Sequence, residues 1–405
     1  MGACVALANS IPVRPRGSGP PTLYNDPMRI GVPRELKDGE RRVGLVPDGV
    51  GALVDDGHEV IVQRGAGAAV GFDDDRYQES GAMLVDDPAD VWRSDLIVKV
   101  KELQPAEYRS LVAGTTMFCY AQLARDPALV DVVVRAGVCV LAYELVRDGS
   151  GALALLAPMS RIAGRLAPFA GAQCLHADRG GAGVLLTGVD GVAGASVAII
   201  GAGTAGAEAA RIAARLGCRV TLLSRGARRV DAIANELAQS GTPIGAQTIE
   251  RVGLDGFAAA IADADLVIGA VNDPGKLSPR LITRAHLRSM RAGSAFVDIG
   301  IDQGGIAETS RMMTLSNPSY VDERIVHYCV PNMPSLVART ATEALTAATL
   351  PYVLRLARSG IAKAINDDPG LAAAVLVADG AIVHRDLAAA VTAATRADDG
   401  QSRSP

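Results

Sequence analysis

From Met28 onward, apolar and polar positions follow two alternating rhythms. Short apolar runs of strand length are separated by stretches whose apolar residues recur at helical spacing, a pattern that predicts strands alternating with helices. MRIGVPRE reads as a strand entering a turn, VGLVPDGVGALVDDG as a helix opening at Pro47, and HEVIVQRG as a strand. DRYQESGAMLV and DPADVWRS carry helical segments, SDLIVKVKE is a strand, and TTMFCYAQL, DPALVDVVVRAG and CVLAYELV continue the alternation. Such an order predicts a mostly parallel sheet covered on both faces. Residues 156–176, LAPMSRIAGRLAPFAGAQCLH, predict one long helix leading into a second unit of the same kind. That unit runs through SVAIIGAGTAG, CRVTLLSR, DAIANELAQ, ADLVIGAV, ITRAHLRSM and SAFVDIGID, and TATEALTAATLPYVLRLARSG then reads as a helix closed by Gly360.

The second unit opens with an apolar strand that breaks into Gly201-Ala202-Gly203-Thr204-Ala205-Gly206 and then into an alanine-rich helix. A glycine at the first position permits a tight turn, one at the second lets backbone approach a pyrophosphate, and one at the third lets helix pack on strand. The helix N-terminus adds unpaired N–H groups and a partial positive charge suited to phosphate. A dinucleotide is therefore the expected ligand. The next strand, CRVTLLSR, ends on Ser224 followed by Arg225, Arg228 and Arg229. An NAD site usually has Asp or Glu about 20 residues after the glycines to hold the ribose 2′-OH. Here that carboxylate is missing, and three guanidiniums stand at a helix start, which is unfavourable without an anion. The sequence thus predicts NADP(H), with NAD(H) as the alternative.

Composition narrows the function class. The 405 residues suffice for two or three domains, and 49% hydrophobic content allows a large core. Aromatics at 3% and a net charge of −4 argue against a nucleic-acid partner. Six scattered cysteines without a CxxC pair read as buried thiols, so no metal site is expected and a cytoplasmic location fits. No apolar run reaches the ~18 residues of a membrane span. Residues 1–27, rich in Pro and Gly, read as a flexible extension without chemistry, and 396–405 as a loose tail.

Taken in order, MRIGVPRELKDGERRVGLVP, DLIVKVKE, LAYELV, LLAPMSRIAGRLAP, GVLLTGV, VAIIGAGTAG, ADLVIGAV, FVDIGIDQGG, VHYCVPNMP and ALTAATLPYVL resemble the alanine dehydrogenase and pyridine nucleotide transhydrogenase family. The resemblance covers essentially all of 28–390. It implies a two-domain α/β fold: a central Rossmann doubly wound parallel sheet (156–334) inserted in a second Rossmann-like, flavodoxin-type substrate domain (28–155 plus 335–395). It implies hydride transfer between a nicotinamide cofactor and a small amino acid or its 2-oxo acid or imine, with a carboxylate substrate and ammonia as partners, and a homo-oligomer, typically a hexamer.

Site residues follow from the same resemblance. Arg42, rather than Arg41, matches an arginine that grips the substrate carboxylate, for which a guanidinium offers bidentate geometry. Lys101 matches a lysine beside the substrate, with Lys99 a rival two residues earlier. Asp302 matches an aspartate that assists proton transfer. Ser160, Val271, Asn332 and Met333 match residues around the cofactor, joining Gly201, Gly203, Thr204, Ala205, Gly206, Ser224, Arg225 and Arg229.

One position departs. Where the family has a histidine after the lysine strand, MFCYAQLAR places Gln122. Histidine suits the protonation and deprotonation of a carbinolamine because its pKa lies near neutrality, whereas glutamine donates a hydrogen bond but releases no proton. No other histidine substitutes by sequence: His58, His176, His286 and His384 lie elsewhere, and His327 reads as packing. Gln122 is therefore a candidate catalytic and substrate-binding residue, and it leaves two readings open: Asp302 and Lys101 handle the protons for a substrate other than pyruvate, or the enzyme works on a preformed imine, which needs less acid–base help. A cofactor-binding paralogue with impaired catalysis is the non-enzymatic alternative. Arg161, where the family shows Glu, and the loop NDPGKLSP are further departures on the cofactor side.

Overall fold

A computed structural model describes residues 27–242, 244–271 and 277–401. Most of the proposed N-terminal extension, most of the divergent loop (272–276) and the last four residues lie outside the described residues. The chain divides into two compact units, one formed by the described residues up to Met159 together with those from Val337 on, the other by Ser160–Leu336.

The strands of the first unit are β1 (Arg29–Val32), β2 (Glu59–Gln63), β3 (Met83–Val85), β4 (Leu96–Val98), β5 (Thr116–Cys119) and β6 (Cys139–Ala142). Those of the second are β7 (Ser196–Ile200), β8 (Arg219–Ser224), β9 (Gly245–Thr248), β10 (Leu266–Gly269), β11 (Ala295–Asp298), β12 (Ser319–Asp322) and β13 (Ile325–Tyr328). The chain then returns to the first unit for β14 (Val375–Ala378) and β15 (Ala381–Ile382).

The first sheet has the order β15-β14-β6-β5-β4-β1-β2-β3. Strands β1 to β6 pair in parallel, and β14 joins β6 antiparallel. Strands β4, β5 and β6 are buried at every residue, as expected where helices cover both faces of a parallel sheet. Strand order reverses between β1 and β4, and in open α/β sheets ligands bind outside the carboxyl ends at such a switch point. The strand predicted to run through Lys101 stops at Val98, so Lys99 and Lys101 both lie in the loop just beyond β4.

The second sheet has the order β12-β13-β11-β10-β7-β8-β9. Leaving aside the antiparallel edge strand β12, this is the Rossmann order, with its switch point between β7 and β10. Helix α1 (Leu156–Leu175) covers the long segment predicted as helical. Helix α2 (Thr204–Arg215) follows the glycine turn, α3 (Ala227–Gln239) follows β8, and α4 (Ala338–Ser359) ends at Gly360 with φ 77°. Ala209, Ala210 and Ala213 of α2 pack with Val197, Ile199 and Leu222 in the core of this unit. Their small side chains let the helix lie close on the sheet.

Candidate functional site

In the first unit the loops beyond β1, β4, β5 and β6 gather charge at the carboxyl edge of four adjacent strands. Arg42 is almost wholly buried while Arg41 is exposed. The Arg42 guanidinium donates through Nε to Glu40 Oε1 (2.8 Å) and through Nη2 to Glu40 Oε2 (2.6 Å), and Nη1 lies 3.0 Å from the Met159 sulfur. The Glu40 carboxylate also accepts the backbone N–H of Arg41 and of Arg42. Burial works to raise the Glu40 carboxyl, but hydrogen bonding and charge from Arg42, then Lys101, hold it at about 2. A buried arginine needs such a partner, since an unpaired buried charge is costly.

Lys99 is fully buried and paired with Glu107 (3.1 Å) and Glu35 (3.6 Å). Its ammonium is thus committed to an internal ion cluster, which corrects its standing as a rival to Lys101. Burial pushes the Glu35 carboxyl up to about 7 despite Lys99. The Lys101 charge favours the ionised form of Glu40, Glu102 and Glu144.

Gln122 takes a left-handed backbone (φ 46°, ψ 28°), uncommon for a residue with a side chain. Its N–H donates to Glu144 Oε1 (2.8 Å) and that of Ala121 to Glu144 Oε2 (3.2 Å). Its own side-chain oxygen accepts from Arg125 Nη1 at 3.4 Å.

In the second unit the glycine turn is built as its sequence requires. Gly201 has φ 110°, and a Cβ there would stand 2.5 Å from the Ala270 carbonyl oxygen. A Cβ on Gly206 would stand 1.8 Å from the Gly201 carbonyl oxygen, so helix and turn touch only because it is absent. Gly203 differs. Its φ of −72° suits any residue, and a Cβ there would meet nothing within 4 Å. Nothing among the described residues demands glycine at this N-cap, whereas a phosphate approaching the N–H groups of Thr204, Ala205 and Gly206 would. The residues present therefore fit a dinucleotide.

The Gly201 N–H donates to the Leu223 carbonyl (2.7 Å), which sets Ser224 and Arg225 beside the turn. Arg225, Arg228 and Arg229 are exposed, and among the described residues none pairs with a carboxylate. Helix α3 starts at Gly226 without a side-chain cap or an acid in its first turn. Val271 borders Gly201, its Cγ2 lying 3.1 Å from where a Cβ would be. Ser160 is half-buried on α1, and Arg161 is exposed.

Asp302 and Asn332 are brought together: the Asn332 N–H donates to Asp302 Oδ2 at 3.1 Å, with Asn332 itself left-handed (φ 60°). Met333 is buried in the apolar core, so it shapes its surroundings by packing. His327 is fully buried, bonded to Thr309 and the Ile325 carbonyl and stacked on Tyr320, which leaves it a packing residue.

The family profile described as alanine dehydrogenase/PNT matches on both of its parts, the N-terminal domain over residues 31–163 and the C-terminal domain over 167–385. The chain belongs to the alanine dehydrogenase/PNT family. It is 45% identical to an alanine dehydrogenase of Halomonas elongata over 90% of this chain and 96% of that one. It is 42% identical to one of Bacillus subtilis over 89% and 94%. A solved L-alanine dehydrogenase superposes with a TM-score of 0.84 at 40% identity, covering 90% of this chain and 99% of that one. A transhydrogenase from Sinorhizobium meliloti shares the fold, with a TM-score of 0.74 at 24% identity over 88% and 100%.

For this alanine dehydrogenase/PNT family member, four carboxylates escaped the sequence reading. Glu35, Glu40 and Glu144 each bond backbone or side chain of a candidate substrate residue. Asp298, fully buried, accepts from Gly300 N–H, Ile306 N–H and the Ser310 hydroxyl, folding the turn that carries Asp302. Burial raises its carboxyl. Position offered a partial signal, since Glu144 follows an apolar strand as Lys101 does, and Glu40 stands two residues before Arg42.

Proposed function

We propose that this chain is an NADP(H)-dependent amino-acid dehydrogenase that interconverts a small L-amino acid with its 2-oxo acid and ammonia, alanine and pyruvate being the first candidates. It is an oxidoreductase of the alanine dehydrogenase type, acting on CH–NH2 donors. What carries the NADP(H) reading is the end of β8: a serine and three exposed guanidiniums, without a carboxylate partner among the described residues, where an NAD site would place an acid. Arg42 and Lys101 supply the cations for a substrate carboxylate, with Glu40 holding the guanidinium in a fixed plane. Gly201, Gly203, Thr204, Ala205 and Gly206 would hold the pyrophosphate, Ser224, Arg225 and Arg229 the 2′-phosphate, and Ser160, Val271, Asn332 and Met333 the nicotinamide end. A bound nicotinamide dinucleotide supplies or accepts the hydride. Asp302, fixed by the Asn332 N–H, takes part in proton transfer. Gln122 donates a hydrogen bond to a substrate oxygen. The enzyme works in the cytoplasm as a homo-oligomer, a hexamer on the family pattern; among the described residues no helix is long and apolar enough to cross a membrane.

Gln122 favours a second reading in which the preferred substrate is a preformed imine, whose reduction needs less acid–base help than a carbinolamine. A third, a cofactor-binding paralogue with impaired catalysis, rests on the same residue. Absorbance at 340 nm separates them, with NADPH or NADH, ammonia, and a panel of 2-oxo acids and cyclic imines. Oxidation of NADPH with pyruvate and ammonia is expected. Turnover on cyclic imines alone would select the second reading, NADPH binding without turnover on any substrate the third, and faster turnover with NADH would overturn the cofactor assignment.

A further inference from the structure

Two strand-end loops of the first unit are braced by a carboxylate from the neighbouring loop. Glu35, beyond β1, accepts the N–H of Val100 (2.6 Å) and Lys101 (3.3 Å), beyond β4. Glu144, beyond β6, accepts the N–H of Gln122 (2.8 Å) and Ala121 (3.2 Å), beyond β5. Each brace spans a pair of adjacent strands. Glu35 is also engaged with Lys99, so its retention is explained by that ion cluster. Glu144 forms no ion pair among the described residues; both of its oxygens are spent on the backbone of the two residues that end in Gln122.

We propose that Glu144 is a positioning residue of the dehydrogenase reaction, acting through Gln122, whose left-handed backbone it holds so that the side-chain amide is presented in one orientation. The inference rests on the functional reading above. Three observations support it. A non-glycine residue in the left-handed region carries strain and persists only where its surroundings over-determine it, which such sites do for function. Carboxylate-to-N–H bonds are charge-assisted and stronger than neutral ones, and two from one carboxylate fix both distance and plane. Burial raises the Glu144 carboxyl, and the N–H groups of Gln122 and Ala121, ahead of the Lys101 charge, work against that rise, so the brace costs solvation and is sustained by the backbone it holds.

A double-mutant cycle on kcat/KM for pyruvate with NADPH and ammonia tests this, using Glu144→Gln, Gln122→Ala and the combination. An amide at 144 accepts one N–H and opposes the other with its own donor group. Glu144→Gln is expected to lower kcat at least tenfold with KM for NADPH unchanged, and to cost less than twofold once Gln122 is alanine. Equal losses in both backgrounds, or a lowered unfolding temperature with unchanged kcat, would overturn the proposal. Glu144→Asp, which keeps charge and loses reach, takes the place of Glu144→Gln if that variant does not fold. Amide hydrogen exchange over residues 119–126 reads the brace without turnover: faster exchange in Glu144→Gln supports it, and unchanged exchange overturns it. A wild type inactive on every amino acid would end the functional reading while leaving that exchange result to decide the brace.

Discussion

Glu40 holds Arg42 along one edge of its guanidinium, at 2.8 and 2.6 Å, inside the first unit. The pair lies two residues apart in sequence, a spacing at which an extended segment presents both side chains on one face. One carboxylate both neutralises the buried arginine and fixes the plane in which its remaining donors point.

Removing Glu40 therefore tests stability and orientation together. Glu40→Ala leaves a buried guanidinium without its carboxylate and should cost about 3–5 kcal/mol in urea denaturation. Glu40→Gln should cost less and raise KM for the 2-oxo acid. The pH dependence has a definite sign. The Glu40 carboxyl is held at about 2 against an ordinary value of 4.5, so its contribution is complete above 4.5 and is lost as pH falls toward 2. The wild type should lose on the order of 3 kcal/mol relative to Glu40→Gln across that window. Parallel stability curves for the two proteins would contradict this.

The glycines make a paired prediction. A Cβ at Gly206 would stand 1.8 Å from backbone, and one at Gly203 would meet nothing. Gly206→Ala should lower stability by about 1–3 kcal/mol through overpacking. Gly203→Ala should leave thermal unfolding unchanged yet weaken NADPH binding at least tenfold. Calorimetry of the apo proteins and titration with NADPH separate the two effects.

Cofactor choice turns on Ser224 and the arginines that follow it. Charge-assisted hydrogen bonds contribute about 1.5–3 kcal/mol each, which is roughly a 10- to 100-fold change in affinity. Ser224→Asp places a carboxylate where a 2′-phosphate would sit and should reverse the NADPH:NADH ratio of kcat/KM. Arg225→Ala and Arg229→Ala should lower NADPH affinity and leave NADH affinity unchanged. A ratio insensitive to all three substitutions would remove these residues from the cofactor site.

Gln122→His restores a group that titrates near neutrality. A general acid–base group contributes about 10²–10⁴-fold in rate, so turnover of pyruvate and ammonia should rise, with a pH profile bearing a new ionisation. Histidine tolerates a left-handed backbone better than most residues, so the turn at φ 46° should accept it. An unchanged profile would show that the protons move through other groups.

Several elements were legible because local pattern and tertiary demand agree. The glycine turn is one, where φ at Gly201 and the helix contact at Gly206 can be met by no other residue. The helix opening at Pro47 and the long α1 are others, each announced by spacing alone. Other elements were not legible. Strand β9 (Gly245–Thr248) is short and half-polar, and β14 (Val375–Ala378) lies in an alanine-rich stretch whose local preference is helical. Their strand character comes from pairing with a neighbour already in the sheet, β9 with β8 and β14 with β6. Lys99 and Lys101 carry the same local signal, an alternating lysine after an apolar strand. Both are buried, and the carboxylates each faces tell them apart: Glu35 and Glu107 pair with Lys99, whereas the Lys101 charge acts on Glu40, Glu102 and Glu144.

By itself the sequence determined the two α/β units, the dinucleotide turn, the family, and which residue types stand at the strand ends, because these depend on periodicity and on backbone conformations few residues can adopt. Only the tertiary structure decided which charges meet. It paired Glu40 with Arg42, enclosed Lys99, tied Asp302 to Asn332 and set Glu144 against the backbone of Gln122. An ion pair or a backbone brace is a matter of a few ångströms between segments far apart in sequence, 65 residues in the case of Glu35 and Val100. Neither spacing nor composition carries that distance; the order of strands in the sheet does.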